Sequence, residues 1–104
     1  MTKRLNVRVN PSFFEDLDRQ LSSHRGSNGE PSRVDFQAVE LLPIIEEFAT
    51  GLSGLPTLMA GRDDYRLLIK TGVLFRGMSV TGQLMNDGAV ELLQLEIDTR
   101  MIWD

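Results

Sequence analysis

The chain has 104 residues and a mass of 11.7 kDa, 41% of them apolar, which suits one domain spanning 1–104 with a single core. It has no cysteine and one histidine, His24, which removes disulfides, thiolate chemistry and cysteine-based zinc or iron–sulfur sites and leaves little for a histidine-ligated metal, so no cofactor is implied. Fifteen acids against eleven bases give a net charge of −4, unlike a surface built throughout to hold nucleic acid, and no run of about 18 apolar residues provides a membrane span.

The charge is unevenly distributed. Residues 1–25 carry +2, 26–60 carry −4, 61–80 return to +2 through Arg62, Arg66, Lys70 and Arg76, and 81–104 carry −4. Nine of the eleven bases are arginine, whose planar fork matches phosphate and carboxylate partners. The pattern reads either as a mixed solvated surface or as a local basic site on an acidic body. The N-terminus lacks the apolar stretch of a signal peptide, so a cytoplasmic protein is expected.

Leu5-Asn6-Val7-Arg8-Val9 alternates apolar and polar residues, as a strand with one buried face does. Asn10-Pro11 then starts a helix, Asn10 capping free N–H groups and Pro11 fitting the first turn. Glu15 and Asp16 are early enough to meet the positive end of the helix dipole, Phe13, Leu17 and Leu21 form an apolar stripe, and Gly26 supplies a stop. His24 reads as a cap at the end of this helix. The stretch Gly26–Ser32 is a turn-rich connection.

A second helix is expected from Ser32 or Asp35 to Thr50, with Gly51 as its C-cap and a kink or break at Pro43. Residues 55–61 read as an ordered loop. Strands follow at Tyr65–Lys70 and Val73–Val80, joined at Thr71-Gly72, and then from about Leu92, where Leu93, Leu95 and Ile97 alternate with Gln94 and Glu96. Val90 falls out of phase with that alternation, which calls for a bulge or a strand start near Leu92. Met101 and Trp103 read as the end of a last strand over the core or as an apolar anchor for a partner. The fold class is α+β: two N-terminal helices on an antiparallel sheet, in the order β-α-α-β-β-β.

This order, with Leu55-Pro56 to Gly61, Tyr65-Arg66, the Thr71-Gly72 turn, Phe75-Arg76 and Val80, resembles the RelE/ParE superfamily of toxins from bacterial type II toxin–antitoxin modules. The resemblance implies a toxin that acts on mRNA at the ribosome or on DNA gyrase, and that a cognate antitoxin neutralises, as a hetero-oligomer or beside a dimer. In ribonuclease members Arg76 would face the phosphate, with Tyr65 and Arg66 on the preceding strand and Arg100 past the last one; such an enzyme is a metal-independent endoribonuclease. Leu68 stands where members often carry a second base, and the sequence ends before the family's final helix, which with the acidic balance favours a non-catalytic version. The rival reading is a protein-interaction module on the same fold. Arg76, in an apolar run, is expected either to point outward beside Tyr65 or to pair with Asp63 or Asp64.

Overall fold

In the computed structural model, residues 4–27 and 29–101 are described, residues 99–101 by their backbone alone; Trp103 lies outside them. The chain begins with strand β1 (Val7–Val9), and Asn10 turns it directly into helix α1 (Pro11–Gln20). The Asn10 side chain accepts from the Ser12 N–H at 2.9 Å, and Pro11 occupies the first turn, as the sequence requires. Phe13 and Leu17 are fully buried by the apolar stripe of this helix. The helix stops at Gln20 and not at Gly26, because Leu21 turns extended (φ −126°, ψ 142°) and enters the core, leaving His24 exposed four residues beyond the helix.

The expected break divides the second helix into two, α2 (Arg33–Val39) and α3 (Leu41–Gly51). Ser32 and Asp35 form a reciprocal capping box at the start of α2. The break falls at Glu40, which puts Pro43 into the first turn of α3, where its missing N–H leaves no bond unmade. Gly51 ends inside α3, and the chain continues through a 3-10 turn at Leu52–Gly54.

The remaining strands are β2 (Thr57–Met59), β3 (Arg62–Lys70), β4 (Phe75–Leu84) and β5 (Val90–Met101). They form one five-stranded sheet in the order β1-β5-β4-β3-β2. Two features correct the expected β-α-α-β-β-β antiparallel sheet. The loop at 55–61 contributes β2, held by its pairing with β3 at Thr57–Arg66 and Met59–Arg62 and not by any apolar alternation of its own. The first strand runs parallel to β5, Val7–Val9 beside Val90–Leu92, so the sheet is mixed.

The β3–β4 connection is also longer than Thr71-Gly72. Residues 71–74 form it, and the buried Glu40 side chain, 1% exposed, accepts from the N–H groups of Val73 (3.1 Å) and Leu74 (2.8 Å). Gly72 lies so close to the Glu40 carboxyl and the Met78 methyl that a Cβ there would collide with both. The helix break and the hairpin are thereby fastened together. Phe13, Phe36 and Phe75 join α1, α2 and β4 in the core, with centroid separations of 6.4 and 6.3 Å.

The β5 edge is completed by α1. Past Leu92, β1 has ended, and the Asn10 N–H to Leu92 carbonyl bond (2.9 Å) is the last backbone rung. Ser12 Oγ then donates to the Leu93 carbonyl (2.6 Å), and Asp16 Oδ2 accepts from the Leu95 N–H (2.9 Å). Gln20 donates through Nε2 to the Leu95 carbonyl (2.7 Å) and accepts through Oε1 from the Ile97 N–H (2.7 Å). Four helical residues rise about 6 Å and two strand residues about 6.7 Å, so positions 12, 16 and 20 stay in step with 93, 95 and 97. Asp16 therefore serves the strand edge and not the helix dipole. The register passes from Thr81–Gln94 to Gly82–Leu92, so Leu93 is an extra residue that lets Leu92 and Leu95 both face the core. This bulge resolves the phase conflict at Val90.

Replacing Gln20 by alanine is expected to lower stability by about 1–2 kcal/mol. Native-state hydrogen exchange checks the mechanism: Gln20→Ala accelerates the Ile97 amide, and Asp16→Ala accelerates Leu95, while the β4-facing amides of β5 keep their protection.

Candidate functional site

Strand alternation assigns the side chains of β3 and β4 to two faces. Leu68, Met78 and Val80 are buried beneath the helices, as is Gly82 against the Phe48 ring. Arg66 shares their phase, being paired with Gly82, so it lies on the helix side. Its guanidinium donates to the carbonyls of Asp63 (2.8 Å), Leu55 (2.8 Å) and Ser53 (3.3 Å), clamping the turn after α3 onto β3.

Tyr65 faces the opposite side of the sheet. The Arg62 guanidinium lies 4.7 Å from its ring centroid and makes two 3.0 Å bonds to the Asp64 carboxylate, which also accepts from Gln83 Nε2 at 3.0 Å. Arg62, helped by Gln83, holds Asp64 well below the usual carboxylate range. Asp64 is thus engaged beside Tyr65.

Arg76 is exposed near the start of β4, and Tyr65 pairs with Gln83 near its end. The seven residue steps from 76 to 83 span roughly 23 Å. The hairpin geometry is the reason: a long β3–β4 pair places residues close to the turn far from residues at the strand's other end. The expected neighbourhood of Arg76 and Tyr65 is therefore corrected. Arg100 lies in β5 between the Gly77–Asp98 and Phe75–Met101 pairs, at the Arg76 end of the sheet. Of the four residues singled out, Arg76 and Arg100 come to one end of the sheet, Tyr65 and Arg66 to the other, and the latter two sit on opposite faces.

The arginines are largely engaged by acids of the chain itself. Arg4 pairs with Glu46, Arg8 with Asp87, Arg19 with Asp16, Arg25 with Asp35, Arg33 with Asp18 and Arg62 with Asp64, all at 3.0 Å or less. Three of these pairs, Arg4–Glu46, Arg8–Asp87 and Arg25–Asp35, join a basic segment to an acidic one. Arg25, supported by the Ser32 N–H, pulls Asp35 well below the carboxylate range.

The open sheet face carries a groove of about 530 Å³, lined by Leu58, Met59, Tyr65, Thr81, Leu93 and Gln94, with Ser12 and Asp16 at its edge. A second hollow of about 510 Å³ lies on the helix side among Leu5, Leu52, Leu84, Asp63 and Arg66. Of the open-face residues, sequence alone marks Tyr65 as a site residue; the phase of Leu68 and Val80 is the signal in the sequence that separates the two faces. Both hollows offer apolar surface with a few polar groups, the character of a binding surface. Among the described residues, no three His, Asp or Glu side chains gather as metal ligands, and no helix is long and apolar enough to cross a membrane. No protein-family model, curated protein or solved structure matches this chain.

Asp35 and Asp64 bind protons more weakly folded than unfolded, so their contribution is complete above the ordinary carboxylate range, near pH 4, and is lost as pH falls below it. Denaturation midpoints measured between about pH 2 and 6 should show an acid decline that becomes shallower in Asp64→Asn and in Asp35→Asn.

Proposed function

We propose that this chain is a toxin-like binding module that arrests growth by holding a protein target and not by cutting RNA. Of the two targets that the RelE/ParE resemblance implies, mRNA at the ribosome and DNA gyrase, gyrase is the one held as a protein, and a cognate antitoxin in the cytoplasm is the neutralising partner. The observation that carries the reading is the engagement of the arginines within the chain. Among the described residues, six arginines face carboxylates, and Arg66 is bonded to backbone carbonyls. Exposed ion pairs add little stability, yet each cancels the field that would attract a phosphate backbone.

RNA cleavage requires a proton acceptor, a proton donor and a cation around one phosphate. Tyr65 and Arg66 lie on opposite faces, and Arg76 lies toward the far end of β4, an arrangement that supports binding over catalysis. The partner surface is the sheet face that carries no helix.

Regulated expression in bacteria tests this, with growth, transcript 5′ ends and plasmid supercoiling as readouts. The expected outcome is growth arrest with intact transcripts and a loss of negative supercoiling. Transcripts cleaved in the wild type and spared in Arg76→Ala would establish a ribonuclease instead. No arrest at any expression level would overturn the toxin reading in favour of a plain interaction module.

A further inference from the structure

Three parallel rows make up the open face. Tyr65, Leu67 and Ile69 of β3 form an apolar ridge, and Ile69 is 73% exposed. Gly77, Ser79 and Thr81 of β4 form a trough of small side chains. Gln94, Glu96 and Asp98 of β5 form the far ridge, polar at one end and acidic at the other. A shallow hollow of about 300 Å³ is bounded by Ile69, Gly77, Ser79, Glu96 and Asp98, and the groove beside Tyr65 lies farther along the same rows.

We infer that this face seats an amphipathic, basic α-helix of the partner protein. The inference rests on the binding-module reading and names the chemistry of the partner. The two ridges are two strand spacings apart, about 9.6 Å, close to the diameter of about 10–12 Å of a helix with its side chains, so one helix can lie along the trough and touch both ridges. An apolar stripe on that helix covers Ile69 and Leu67, while lysines or arginines along one flank meet Glu96. Glu96 is available for this: its side chain is 72% exposed and its contact is Arg19 at 3.7 Å. A second copy of this chain fits poorly, because it brings the same net charge of −4 and arginines already engaged by its own acids.

The probe is a synthetic helix of about 18 residues, roughly 27 Å long, with leucine on one face and lysine along one flank. Its counterpart carries glutamate in place of lysine. Titration against the full chain, followed by amide chemical shifts, should map binding of the lysine peptide to the open face of β3–β5. The glutamate peptide should bind at least about fivefold more weakly, and Ile69→Lys and Glu96→Lys should each weaken the lysine peptide by about fivefold or more. Glu47→Lys, the same charge change on an exposed helix position, should leave its affinity unchanged. Equal binding of the two peptides, equal effects of Glu96→Lys and Glu47→Lys, absence of binding, or self-association through this face would each overturn the inference. If the peptide fails to bind while cells arrest with intact transcripts, this seat is wrong and the binding-module reading stands. Peptide binding without arrest rejects the toxin reading and keeps the seat.

Discussion

A strand edge completed by side chains organises this molecule. β1 is three residues long and β5 is twelve, so the parallel pair covers only the beginning of β5. Unpaired strand edges invite association with other chains, and native proteins cover or interrupt them. Here Ser12, Asp16 and Gln20 take over where Asn10 leaves off, each meeting backbone groups of β5. The same helix turns Phe13 and Leu17 into the core. One helix therefore has two structural faces, one apolar and one that acts as a substitute strand.

With α1 along that edge and the aromatic contacts of α1 and α2 directed at one side of β4, the opposite side of the sheet is left without a helical cover. The Arg66 clamp and the Glu40 fastening both work on the helical side: the first ties β3 to the end of α3, the second ties the β3–β4 loop to the helix break. The open face is consequently a supported surface whose side chains are not required by the core. That division gives the protein a place to engage a partner without disturbing its own packing.

The parts of the fold legible in the sequence were those set by local chemistry. Asn10-Pro11, Ser32 with Asp35, and Pro43 each marked a helix start or break because the relevant hydrogen bonds lie within four residues. The parts set by distant partners were hidden. β2 exists through its register with β3, and the row at 12, 16 and 20 resembles an ordinary solvent-facing stripe until β5 lies beside it. Arg66 looked like a phosphate ligand because a guanidinium is equally suited to three carbonyl oxygens, and no spacing rule tells these apart. The alternation of Leu93, Leu95 and Ile97 points to Leu93 as the first buried residue, yet the bulge shifts the phase by one residue and gives the core Leu92 instead. For the site, sequence order drew Tyr65 and Arg76 together, whereas the hairpin carries them toward opposite ends of the sheet.

The functional account depends on most of the described arginines being engaged by the chain's own acids and carbonyls. Binding of a fluorescent single-stranded RNA to the purified chain, measured from low to physiological ionic strength, addresses that directly. The account predicts no saturable binding even at low salt, where phosphate contacts are strongest. Saturable binding that weakens steeply with added salt would show free cations directed at phosphates and would contradict it.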